Sequence, residues 1–190
     1  MDSRFKSFFP LRTQGMIWRP LAEDEVELHK KIISWRNYPS TMACFYSSTL
    51  LTFESHMEVF REITANPKEI YLGIFTDEES PQFVGTVGLV DIDMQHRHAE
   101  FARMVLDHER PVGSMARGIR GKNIDLGLID LAFNKLHLHK LYAEILATNP
   151  KVVKLHQVVG FQIEGILKQH IWKDNQWQDV VLVGIVNPDE

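Results

Sequence analysis

The chain has 190 residues, 44% of them hydrophobic and 24% charged, proportions that suit one globular domain with a core of its own. A formal net charge of −4 gives no bulk attraction to nucleic acid or to an anionic membrane surface. One cysteine, Cys44, excludes a disulfide framework and a cysteine-based metal site. The opening MDSRFKSFFPLRTQG has no apolar run of signal-peptide or membrane-spanning length, so a reducing cytoplasm is expected.

Residues 1–15 read as an N-terminal extension whose Phe5, Phe8 and Phe9 tuck onto the domain or a partner subunit, and residues 16–187 as the domain. Met16–Leu21 predicts a strand. Glu23–Arg36 predicts a helix, with Glu23, Asp24 and Glu25 placed favourably for its dipole. Tyr38-Pro39 forces an extended exit, and Thr41–Leu51 has no clear pattern. Thr52 predicts the N-cap of a helix running to Thr64, with Phe53, Met57, Phe60 and Ile63 on one side. Ile70–Phe75 and Phe83–Ile92 predict two strands joined by an acidic turn.

Residues 99–133 hold the strongest chemical signal. Alternation over Ala99–Leu106 predicts a strand, and the recurrence of Ile124, Gly127, Leu128, Leu131 and Ala132 predicts a packed helix. Between them the reading is a loop containing Pro111, Gly113, Gly118 and Gly121 with Arg117, Arg120 and Lys122. Glycines that let backbone N–H groups approach, basic side chains and a helix N-terminus make an anion cradle, read as a diphosphate site. The plainer alternative is a solvated basic loop. A nucleotide P-loop does not fit, because Ile119-Arg120 follows Gly118 where Lys-Ser/Thr is required.

Leu141–Leu146 predicts a further strand, and Asn149-Pro150 the N-cap and first position of a short helix. On that helix Val152, Leu155, His156 and Val159 share a face, and Gly160 ends it. Phe161–Trp172 and Trp177–Val186 predict a hairpin. The order of elements implies a mixed α/β sheet with at least one parallel pairing. His96-x-His98 and His137-x-His139 each lack a third ligand at metal-binding spacing, so no metal is expected.

Residues 136–185, with Asn149, Leu155, Gly160-Phe161, Glu164-Gly165 and Asp179-Val180-Val181 as landmarks, closely resemble the C-terminal half of the GNAT acetyltransferases. Upstream, Trp35-Arg36-Asn37, His56, Phe60 and Asp91-Ile92-Asp93 before Ala99-Glu100-Phe101 resemble the branch that acetylates nucleotide-linked amino sugars. Ribosomal-protein N-terminal acetyltransferases share much of that pattern. The resemblance covers Met16 to Ile185. It implies a single GNAT-like α/β domain: a central mixed sheet of about six to seven strands, helices on both faces, and a parallel pair, 99–106 and 141–146, that splays apart. It also implies acetyl-CoA as co-substrate. The backbone of Met104, Val105 and Leu106 would pair with the pantetheine arm. Arg117, Gly118, Ile119, Arg120, Gly121 and Lys122 would bind the pyrophosphate, and Asn149 would touch the pantetheine or serve as an N-cap. Counted from Arg120, the family's loop pattern puts Asn123 and Asp125 at its last two key positions, where Asp125 would repel a diphosphate; the register using Gly118 and Gly121 puts Asp125 one turn into the helix instead.

Amine acetylation requires a neutral amine, a stabilised oxyanion and a protonated leaving thiolate. Glu100 is the candidate base, against a plain surface-strand glutamate, and a backbone N–H near Val105 the candidate oxyanion donor. His156 stands where the family often has a tyrosine acid, and is either the acid or a helix histidine without chemistry. Trp35, Arg36, Asn37, Tyr46, His56 and Asp91 are the expected acceptor pocket, with Trp35 alternatively in the core. The expected acceptor is a small-molecule amine, first a nucleotide-linked amino sugar, with a protein N-terminus or a non-catalytic CoA-binding module as alternatives. Neither nucleic acid nor membrane is expected as a partner, and a homodimer is carried as a further expectation.

Overall fold

A computed structural model describes residues 3–108 and 114–189, without the side chains of residues 3–4 and 114–119. Its strands are β1 (Leu11–Thr13), β2 (Met16–Arg19), β3 (Ile70–Thr76), β4 (Phe83–Asp93), β5 (His98–Leu106), β6 (Lys140–Leu146), β7 (Gln162–Lys173) and β8 (Gln176–Val186). They form one sheet in the order β1-β2-β3-β4-β5-β6-β8-β7. Eight strands among the described residues exceed the six to seven expected. The three-residue β1, in the stretch read as an extension, is too short for alternation to reveal. The helices are α1 (Ser3–Lys6), α2 (Val26–Arg36), α3 (Pro39–Met42), α4 (Phe53–Ala65), α5 (Ser114–Asp130), continued by a π-helical turn (Leu131–Lys135), and α6 (Pro150–Val158).

Helices cover both sheet faces. On one, Ile70, Leu72 and Ile74 of β3 share a core with Ile124 and Leu128 of α5, Val153 of α6, and Phe5 from the N-terminal segment. On the other, Ile17, Phe75 and Val105 pack with Ile32 and Trp35 of α2 and Met57 and Phe60 of α4. The N-terminus of α4 follows from its sequence: Ser55 N donates to Thr52 Oγ1 (3.2 Å) while Thr52 N donates to Ser55 Oγ (3.0 Å). Helix α2 begins at Val26 rather than Glu23. Glu25 instead bridges Arg19 Nη2 (2.5 Å) and the Ala22 amide (2.7 Å), fixing the chain before the helix starts.

The strands that matter for function are β5 and β6. They pair in parallel only over His98–Lys140, Ala99–Leu141 and Glu100–Tyr142, after which no strand among the described residues pairs with that edge of β5. A bulge accounts for the separation. Thr86 opposes Val105 and Gly88 opposes Ala102, so Arg103 and Met104 together face Val87. Arg103 takes a left-handed φ of 58°, a conformation costly for a residue with a side chain. It is held there by a pair of contacts to Glu69 Oε2, 2.9 Å from Nε and 2.7 Å from Nη2. Bulges bend strands, and this one turns β5 away from β6.

Candidate active site

The splay opens a cavity of about 630 Å³. Phe101, Ala102, Met104 and Leu106 of β5 form one wall and Ala143, Glu144 and Ile145 of β6 the other. Arg120, Asn149, Val152 and His156 line the end nearest α5 and α6. The segment from Ser40 to Ser47, unpatterned in sequence, roofs it. Side chains from the ends of α2 and β7 hold that strap and the chain that follows it. Lys173 Nζ, buried beneath it, donates to the carbonyls of Met42 (2.9 Å), Ala43 (3.3 Å) and Phe45 (2.6 Å). Arg36 stacks over Phe45, 3.8 Å from the ring centre, and Nη2 donates to Ser47 O (3.2 Å). Asn37 clasps Leu51 through both backbone groups, 2.9 and 2.8 Å.

Carboxylates gather where β5 and β6 part. Glu100 lines the cavity, and burial, then Glu144, then Asp91 push its carboxyl from 4.5 up to about 7, against the opposing pull of Arg103. Burial costs the charged form its hydration, and two like charges add to that cost. Tyr46, in the strap, donates from its hydroxyl to Glu144 Oε2 at 2.7 Å. Burial first and Glu144 second raise its phenol, and Tyr142 is raised by burial and the same three carboxylates. The region is acidic, and the carboxyl at its cavity end, that of Glu100, is the one raised toward neutrality.

The opposite end differs from the sequence reading. Gly118 and Gly121 are not in a loop, because α5 already runs from Ser114. The backbone of Arg117, Gly118 and Ile119 is therefore helical, while their side chains, and Pro111 and Gly113, lie outside the described residues. Gly121 has a packing reason: a Cβ there would sit 2.8 Å from Leu155 Cδ2 of α6. Lys122 is exposed and absent from the cavity wall, whereas Arg120 reaches it. Asp125 sits about three turns into α5, fully buried, with Oδ2 2.8 Å from His156 Nδ1. Asn149 occupies the N-cap position of α6 without a side-chain cap; its Nδ2 donates instead to Cys44 Sγ (3.1 Å) at the cavity edge.

The acetyltransferase (GNAT) domain profile matches residues 26–182. The chain belongs to the GNAT acetyltransferases. A spermidine N(1)-acetyltransferase of Vibrio cholerae is 31% identical over 137 residues, 67% of this chain and 73% of that protein. The acetyltransferase PseH of Campylobacter jejuni is 27% identical over 143 residues, 75% and 80% of the two chains. Among solved structures, the V. cholerae spermidine N-acetyltransferase in complex with CoA and spermine superposes with a TM-score of 0.74 at 24% identity, covering 90% of this chain and 95% of that one. The GNAT chain is thus an amine N-acetyltransferase with acetyl-CoA as co-substrate.

Of the residues that sequence pointed to, the GNAT cavity is lined by Arg36, Tyr46, Glu100, Met104, Leu106, Arg120, Asn149 and His156. Trp35 is core, 2% exposed and stacked on Phe83 at 5.2 Å. His56 is also withdrawn, its Nε2 3.0 Å from Nδ1 of the buried His29. Asn37 serves the strap, Val105 faces the α2–α4 core, and Asp91 acts on Glu100 by charge from outside the lining. Glu144, Lys173 and Asp125 were missed. Glu144 carried a usable signal, a carboxylate inside the otherwise apolar-aromatic run Leu141–Leu146, and so did Asp125, an acid beside an expected diphosphate. No helix of the described residues is long and apolar enough to cross a membrane, and among them no three His, Cys, Asp or Glu stand together as metal ligands.

Proposed function

We propose that this GNAT enzyme acetylates a cationic primary amine of the polyamine class, and that the acidic group Glu100, Glu144 and Asp91 receives it. The observation that carries the reading is Glu100, on the cavity wall with its carboxyl pushed to about 7 by burial and two neighbouring carboxylates. An ammonium drawn in by these charges loses its proton to Glu100, whose proton affinity is matched to neutral pH. The neutral amine then attacks the thioester. The open edge of β5 beyond Glu100 supplies backbone N–H groups for the pantetheine amides and, near Val105, for the developing oxyanion. Arg120, with its helical neighbours Arg117, Gly118, Ile119, Gly121 and Lys122, serves the diphosphate end from the first turns of α5. Asn149 orients the pantetheine, and His156 protonates the thiolate. A lone free thiol, Cys44, suits a cytoplasmic setting.

A nucleotide-linked amino sugar is the second reading, and one group favours it. Arg36 lines the cavity, is 7% exposed, and its Nη1 has no partner among the described residues. A phosphate would satisfy it. The test is thiol release from saturating acetyl-CoA with spermidine, a uridine-diphosphate-linked amino sugar and a peptide with an N-terminal alanine. We expect kcat/KM for spermidine to exceed the other two by at least about tenfold, a margin unpaired buried charges readily provide. A preference for the amino sugar or the peptide overturns the polyamine assignment.

A further inference from the structure

We propose that Asp125 is a positioning residue for acid catalysis, holding the His156 ring so that Nε2 delivers a proton to the departing thiolate sulfur. The inference rests on the reading of His156 as the acid.

Several observations converge on this pair. Asp125 and His156 are 0% and 3% exposed, and they join α5 to α6 through the 2.8 Å contact between Oδ2 and Nδ1. A carboxylate accepts, so Nδ1 carries a proton and Nε2 is left for the cavity that His156 lines. The ring cannot turn freely. Phe101 meets it edge-on with centres 4.9 Å apart, and Phe161 lies against it at 5.0 Å. Asn149, Val152 and His156 all line the cavity from α6, so the ring stands on the face that meets the pantetheine in the reading above.

Simple helix packing does not call for this arrangement. The other Asp125 oxygen, Oδ1, is buried without a partner among the described residues, and burial raises the carboxyl while His156 opposes the rise. An apolar pair would join two helices without leaving such a group unsatisfied. A carboxylate behind an imidazole has a chemical use: it fixes the ring's orientation and its tautomer. In the step itself the C–S bond breaks and its electron pair stays on sulfur. The Nε2–H proton passes to that sulfur, leaving His156 neutral. Of the two protons the ammonium gives up, one recharges His156 through solvent and the other is released.

The test is a double-mutant cycle read as kcat at saturating acetyl-CoA and amine. We expect His156→Gln to lower kcat about 10- to 100-fold, a modest general-acid contribution. Asp125→Asn should lower it at least tenfold with KM for acetyl-CoA within threefold. The double variant should be no slower than His156→Gln alone, because Asp125 acts only through the ring. If His156→Gln costs less than twofold, the acid role itself is wrong. If His156→Gln is slow while Asp125→Asn is not, or if the two losses multiply, only the positioning role is overturned. Should Asp125→Asn fail to fold, ¹⁵N imidazole NMR of the wild-type protein decides. The expected result is a protonated Nδ1 throughout, with the Nε2 signal moving when CoA saturates. An unprotonated Nδ1 or an Nε2 signal blind to CoA overturns the proposal.

Discussion

The assignment of Glu100 as base predicts the shape of a pH profile. With its carboxyl at about 7, Glu100 is about one-tenth ionised at pH 6 and about nine-tenths at pH 8, so ionisation of the base should raise kcat/KM for the amine roughly tenfold across that interval. An ordinary glutamate near 4.3 would be ionised throughout that range and produce no such limb. Glu100→Gln removes the base. It can use only amine that is already neutral, and a primary ammonium near 10 supplies about tenfold more per pH unit. The variant should therefore start lower and climb without levelling through pH 9. Glu144→Gln should move the wild-type limb toward acid but not back to 4.5, since burial rather than Glu144 is the larger cause. The same shift has a stability consequence. A carboxyl whose folded value lies above its unfolded one makes the fold lose stability as pH rises from 4.5 through 7. Glu100→Gln relieves that loss at pH 8, by on the order of 1 kcal/mol after allowing for its partial exposure, and does nothing below pH 4.5. Coupled thiol-release kinetics and thermal melts at pH 4 and pH 8 measure both effects. A flat wild-type profile from pH 6 to 8, or a levelling Glu100→Gln profile with the same midpoint, refutes the base. A Glu100→Gln protein less stable than wild type at pH 8 refutes the electrostatics.

Arg120→Ala should raise KM for acetyl-CoA about tenfold, equivalent to about 1.4 kcal/mol, with kcat changed less; calorimetric titration with CoA gives the affinity directly. Lys173→Met removes the shared donor from the carbonyls of Met42, Ala43 and Phe45, of which Met42 O keeps the Phe45 amide. It should cost on the order of 2–4 kcal/mol in chemical denaturation and raise KM for the amine more than KM for acetyl-CoA. His56 is depressed to about 4, by burial first and His29 second, so its contribution to stability is present above 6.5 and is lost as pH falls toward 4. His56→Gln should flatten acid unfolding in that window while leaving KM for the amine within twofold, because His56 lies outside the cavity.

Sequence revealed the features whose cause is local, and failed where meaning depends on what a residue meets. Thr52 and Ser55 cap each other within one turn, and the alternation of Ala99–Leu106 needs no partner to be read, so α4 and β5 were both legible. The opening between β5 and β6 was legible only through resemblance, because its cause is a bulge at Arg103 stabilised by Glu69, 34 residues away. Trp35 and Arg36 make the distinction sharper. Adjacent residues on a helix point about 100° apart, and here that angle sends Trp35 to Phe83 in the core, the alternative its sequence offers, and Arg36 to the cavity. Gly121 carries the same lesson in the backbone. A glycine beside arginines reads as a phosphate loop, yet the space it vacates is filled by Leu155. Bringing α6 that close to α5 sets His156 against Asp125, so a residue expected to approach a ligand instead lets two helices meet. Asp125, which looked out of place beside a diphosphate, faces an imidazole because of that contact. The anomaly in the sequence was a statement about tertiary packing.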